Sequence, residues 1–163
     1  MTTTIAQVGV RGFGLIHLER IDRLAAHGRI ELVATADPGG APEGRDVPWY
    51  ASLTELLAQH SPDIVSIATP IGTHSTLAIE AMRAGADVFL EKPPFASLAE
   101  FEQVLDVSRE TGKQVQIGFQ SLGSAGVARL RELIASGALG EIVGINARGP
   151  WKRQRAYYAR APW

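Results

Sequence analysis

The stretch "VGVRGFGLIH", Val8 to His17, decides how this chain is read. The β-branched segment "TTIAQVG" leads into it. Behind it, from Leu15 to His27, the apolar residues Leu18, Ile21 and Leu24 recur at helical spacing, and Gly28 suits a C-terminal cap. A glycine-rich turn therefore joins a strand to a helix. Such a turn gathers free backbone N–H groups at the positive end of a helix dipole, which favours an anion. The glycines nearly spell G-x-G-x-x-G, in one of two registers. In the first, Gly9, Arg11 and Gly14 hold the three positions, with Gly12 and Phe13 between them; in the second, Gly12, Gly14 and His17 do. The first is preferred because it places the turn directly after the strand, whereas the second buries Gly9 inside it. Arg11 then replaces the glycine that normally lets the backbone approach a pyrophosphate. Its guanidinium either grips phosphate directly or swings clear. Taken alone, the same residues also describe a plain tight turn.

The alternation continues outward. "IELVATAD" reads as a second strand, "DIVSIATP" as a buried third, "DVFLE" as a fourth and "KQVQIGF" as a fifth. Ser52 with Glu55, and Ser97 with Glu100, are capping boxes that open helices, the second ending near Gly112. "HSTLAIEAMRAG" is a helix ending at Gly85, residues 124–136 form another backed by Gly137, and "GEIVGINARG" begins a sixth extended segment. Strands alternating with helices mean βαβ units and, with right-handed crossovers, an α/β fold with a doubly wound parallel sheet, the Rossmann arrangement. Residues 1–120 are expected to form the dinucleotide-binding domain. Residues 121–163 are expected to be a linking helix, first strand and arm of a second α/β domain of which only the start is present.

Composition narrows the classes. Of 163 residues, 45% are apolar and 20% charged, as in ordinary globular proteins. No apolar run is long enough to span a bilayer, and "MTTTIAQV" lacks the basic start and cleavage site of a secretory signal. No cysteine is present, which excludes disulfides and thiol chemistry and fits a cytoplasmic protein. No histidines and carboxylates have metal-ligand spacing. The final "RGPWKRQRAYYARAPW" carries Arg148, Lys152, Arg153, Arg155 and Arg160 without an acid, so the remainder is acidic. Bases interleaved with Trp151, Tyr157, Tyr158 and Trp163 can bind single-stranded nucleic acid. One short segment on an acidic body points instead to an interdomain or subunit contact. Neither nucleic acid nor membrane is an expected partner.

In an open parallel sheet, ligands bind beyond the carboxyl ends of the strands. There this sequence collects the glycine loop, Asp37, "TPIGTH", "EKPP" and "FQ". Asp37 lies about twenty residues past Gly14, the spacing of a carboxylate that accepts from an adenosine ribose and repels a 2′-phosphate. That favours NAD over NADP; the competing reading is an Asp-Pro turn. Lys92, between Glu91 and the Pro93–Pro94 pair, is a held lysine able to polarise an oxygen or pass a proton, or else a solvated surface lysine. His17 and His74 read more readily as structural than as catalytic.

Together these motifs resemble the glucose–fructose oxidoreductase / inositol dehydrogenase (Gfo/Idh/MocA) family. The resemblance is carried by Gly9, Gly14 and His17, by "ATADP", "TPIGTH", "GADVFLEKPPF" and "VQIGFQ", and by "LRELIASGALGEIVGI". It implies a Rossmann domain followed by a larger-sheet α/β domain. It also implies hydride transfer between a nicotinamide and a sugar, polyol or related hydroxy or carbonyl substrate. Gly9 and Gly14 would belong to the phosphate loop and Asp37 to the adenosine ribose. Thr69, Pro70 and His74 would line the nicotinamide side, with Glu91, Lys92 and Pro93 at the reaction centre. Arg11 departs from the pattern. Family members are about twice this length, so the chain reads as truncated, binding cofactor better than it turns over substrate. A lone first strand and an aromatic arm also invite self-association. The alternatives are a non-catalytic nucleotide-binding module and a methyltransferase, in which "EKPP" would have no role.

Overall fold

The computed structural model describes residues 2–159. By contacts the chain divides into Met1–Gln120 and Ser121–Trp163. The first unit holds six strands: β1 (Thr3–Val8), β2 (Ile30–Ala36), β3 (Trp49–Tyr50), β4 (Ile64–Ile67), β5 (Asp87–Leu90) and β6 (Val115–Ile117). Their spatial order is β3-β2-β1-β4-β5-β6, and every pairing is parallel. Helices α1 (Phe13–Ala26), α2 (Leu53–Leu57), α3 (His74–Arg83) and α4 (Leu98–Thr111) make the crossovers. The expected doubly wound sheet is present. The strand order reverses between β1 and β4, which opens a crevice at their carboxyl ends.

The two faces of the sheet differ. One shows Ala6, Val8, Ala34, Ala36, Val65, Ile67, Val88 and Leu90, and these share a buried cluster with Leu53 and Leu56 of α2, Met82 of α3 and Val104 of α4. Burying each leucine, isoleucine or methionine of this cluster stabilises by about 1.5–3 kcal/mol. The opposite face carries a polar row across three adjacent strands, Thr35–Gln7–Ser66, all buried. Helix α1 covers it, burying Gly14, His17, Leu18 and Ile21. The small strand residues let α2–α4 close on one side, while the polar row gives α1 hydrogen-bonding partners on the other.

The capping boxes behave as their sequence requires. The Ser52 hydroxyl accepts from Glu55 N–H and that of Ser97 from Glu100 N–H, each at 3.2 Å. Gly112 closes α4 in the left-handed conformation, φ 69°. The two-residue edge strand β3 was not expected. The sheet supplies it through Thr35 N–H to Pro48 C=O (2.8 Å) and Asp37 N–H to Tyr50 C=O (3.1 Å).

In the second unit, α5 (Ala125–Ala135) is capped by Ser124 and buries no residue. The extended segment expected at "GEIVGINARG" does not become a strand: residues 140–149 lie in no ladder. A strand needs a neighbour to take its N–H and C=O groups, and none is offered there. The aromatic tail instead forms a short helix, α6 (Arg155–Ala159), with the Arg153 guanidinium 4.9 Å from the centre of the Tyr157 ring. Arg160 and Trp163 lie outside the described residues.

Candidate cofactor and reaction site

Gly9 directly follows β1 with φ 80°, and a Cβ there would lie 2.5 Å from the Ala68 carbonyl oxygen. A Cβ on Gly14 would overlap the Gly9 carbonyl. These two glycines therefore let the loop, the helix and the β4 end close on one another, in the geometry of the first register. Gly12, at φ 56°, is the N-cap of α1. No side chain caps this helix and no acid stands in its first turn, unlike the serine-capped α2 and α4. Its N-terminus keeps positive character facing the crevice. The residues present thus form a cradle that fits a dinucleotide pyrophosphate.

Arg11 turns towards the end of β2. Its guanidinium pairs with the Asp37 carboxylate and donates to the Gly39 carbonyl. Asp37 also accepts from Val10 N–H at 3.0 Å and from Gly39 N–H at 2.8 Å. The Asp37 carboxylate is thus held by three partners, one of them cationic.

Beyond β5, Glu91 is the hub. His17 Nε2 lies 3.0 Å from Glu91 Oε1, and His17 Nδ1 lies 3.3 Å from Ser66 Oγ. A carboxylate only accepts, so Nε2 carries a proton toward Glu91; in the neutral imidazole Nδ1 then receives the serine hydroxyl. The other carboxylate oxygen, Oε2, accepts from the backbone N–H of Lys92 at 3.0 Å. A chain of contacts therefore runs Ser66–His17–Glu91–Lys92 from the sheet interior to the strand end. Lys92 precedes a cis bond to Pro93, and its Nζ stands 5.2 Å over the centre of the Phe13 ring. The glycine loop and the lysine are thus neighbours.

The "TPIGTH" segment is braced internally. Thr73 Oγ1 donates to the Pro70 carbonyl at 2.8 Å and lies 2.7 Å from Thr69 Oγ1, which must then be the donor to it. His74 is buried, with Nε2 2.8 Å from the Thr69 carbonyl and Nδ1 3.1 Å from the Pro94 carbonyl. The imidazole ties the β4 and β5 loops together. Thr69 and Pro70 follow the carboxyl end of β4.

Gly9–Gly14, Asp37, Thr69, Pro70, Glu91, Lys92 and Pro93 all lie past carboxyl ends of strands of one sheet. The sequence reading missed Ser66, Gly39 and the orphaned buried Gln7 Oε1. A serine and a glutamine inside buried strands were the signals available for two of them.

The class so defined is a doubly wound, dinucleotide-type α/β domain. A family model described as "Oxidoreductase family, NAD-binding Rossmann fold" matches residues 6–119, and the chain belongs to this Gfo/Idh/MocA family. It is 32% identical over 149 residues to an inositol 2-dehydrogenase of Leifsonia xyli, covering 87% of this chain and 44% of the relative. Among solved structures it is similar to the WlbA dehydrogenase of Chromobacterium violaceum, determined with NADH and UDP-GlcNAcA. That match has a TM-score of 0.87 and 28% identity, over 99% of this chain and 48% of that one. It is also similar to D-galactose-1-dehydrogenase of Rhizobium etli, with a TM-score of 0.73 and 31% identity, over 83% and 43% of the two chains. The chain thus spans less than half the length of these relatives. No described helix is long and apolar enough to cross a membrane.

Proposed function

We propose that this chain is the cofactor-binding part of an NAD(P)-dependent oxidoreductase acting on a sugar- or polyol-type hydroxyl or its carbonyl. The observation that carries the reading is the meeting of Lys92 with Phe13 of the glycine loop, at the end of a contact chain anchored on Ser66. A bound nicotinamide would supply the hydride acceptor or donor. The N–H groups at the start of α1 would hold its pyrophosphate, and the Asp37 end its adenosine. Thr69 and Pro70 would border the nicotinamide side. Glu91, fixed by His17, would set the backbone from which Lys92 holds the substrate oxygen and passes its proton. The related dehydrogenases, whose names specify inositol and galactose, support this substrate class.

A second reading is nucleotide binding without turnover by this chain alone. It is favoured by the two buried histidines: both are engaged by protein partners, so neither is offered to a substrate.

Titration with NADH, followed by cofactor fluorescence, tests both; absence of binding by NADH and NADPH alike would sink them together. Turnover over a polyol panel then separates them. In a protein complete enough to turn over, Lys92→Ala is expected to lower kcat by about 10²–10⁴-fold with cofactor affinity retained. Loss of cofactor binding instead would remove Lys92 from catalysis.

A further inference from the structure

We propose that Arg11, Asp37 and Gly39 form a single device that admits a 2′-phosphate on the adenosine ribose, so that this chain takes NADPH as well as NADH. The inference rests on the cofactor-binding reading above and concerns the adenosine end of that site.

A carboxylate after the second strand ordinarily excludes a 2′-phosphate by charge. Here Asp37 is paired with the Arg11 guanidinium, so the end of β2 is not a bare anion. The guanidinium is placed by two contacts at once, the Asp37 carboxylate and the Gly39 carbonyl. Its seat exists because Gly39 has no side chain: a Cβ there would overlap the guanidinium. Gly39 is not among the positive-φ glycines, so space rather than backbone conformation explains it. Arginine has five N–H donors, and these contacts engage only part of the fork. The Arg11 side chain remains 54% exposed, against 12% for Asp37. The cation thus covers the anion and presents its remaining donors outward, where a phosphate monoester would accept them in fork geometry. Asp37 has a different use in this arrangement. It orients the arginine, as a carboxylate partner does, and its other oxygen, which accepts from Val10 N–H, would also accept from a ribose hydroxyl.

The test is fluorescence titration of NADH and NADPH against the chain and two variants. The parent chain is expected to bind the two within about tenfold of one another. Arg11→Ala is expected to weaken NADPH about tenfold or more and to change NADH by less than about threefold, because one charge-assisted contact set is lost. Asp37→Asn is expected to move the ratio the other way, weakening NADH and sparing NADPH. Binding of NADH without NADPH by the parent chain would overturn the inference and leave the cofactor-binding reading intact. Equal losses of both cofactors in Arg11→Ala would also overturn it, placing the arginine on the pyrophosphate. Binding of neither cofactor by the parent chain would overturn the underlying reading and this inference with it.

Discussion

Gly14 and Arg11 sit three positions apart and answer to different constraints. Gly14 is fixed by contact: any Cβ meets the Gly9 carbonyl, so helix and loop cannot both stay where they are. Gly14→Ala is expected to destabilise the fold by about 1–3 kcal/mol, the usual range for overpacking, and to weaken NADH binding with it. A thermal melt and a titration check this; an unchanged melt with unchanged affinity would show that the loop has room to move. The role of Gly14 was legible in the sequence because glycine spacing is local. The direction of Arg11 was not. Nothing between residues 8 and 17 says that the guanidinium will find Asp37, 26 residues on. His17 was opaque for the same reason, since its partner Glu91 is 74 residues away and only the sheet brings them together.

The helices α2 and α4 announce themselves by serine caps, and the structure seats both where those caps demand. Strand β3 does not, because two residues carry no periodicity and its pairing is dictated by β2. Another tie between elements does have a readable consequence. At the amino ends of β1 and β4, Asp63 Oδ2 accepts from Thr4 N–H at 2.7 Å and from the Thr4 hydroxyl at 2.8 Å. These bonds, the backbone one foremost, hold the Asp63 carboxyl below its ordinary value, with Lys113 adding to the effect. A lowered carboxylate contributes stability above the unfolded value, near 3.8. That contribution fades as pH falls from there through the lower folded-state value. Asp63→Asn is therefore expected to melt below the parent chain at neutral pH. The gap should close as the solution is acidified beneath that value. A gap independent of pH would mean that the carboxylate charge plays no part in the tie.

At the scale of the molecule, the buried cluster and the candidate site fall within the first unit. A chain cut after Gln120 is expected to unfold cooperatively in urea and to bind NADH with an affinity within about threefold of the 163-residue chain. A noncooperative transition would show that residues 121–163 complete the core. The α/β class was legible throughout the first unit, because alternation of elements is a sequence property. Residues 140–149, expected to be extended, join no ladder, because a strand is a relationship between two segments and one segment cannot declare it.

The seat of Arg11 on Gly39 has a consequence for descent. The two positions are 28 residues apart and are sterically one unit. An arginine arising at position 11 while position 39 bore a side chain would find its place taken and would have to hang in solvent. With both in place, a side chain at 39 would displace the guanidinium from its present position. The two positions are therefore expected to tolerate change together more readily than singly.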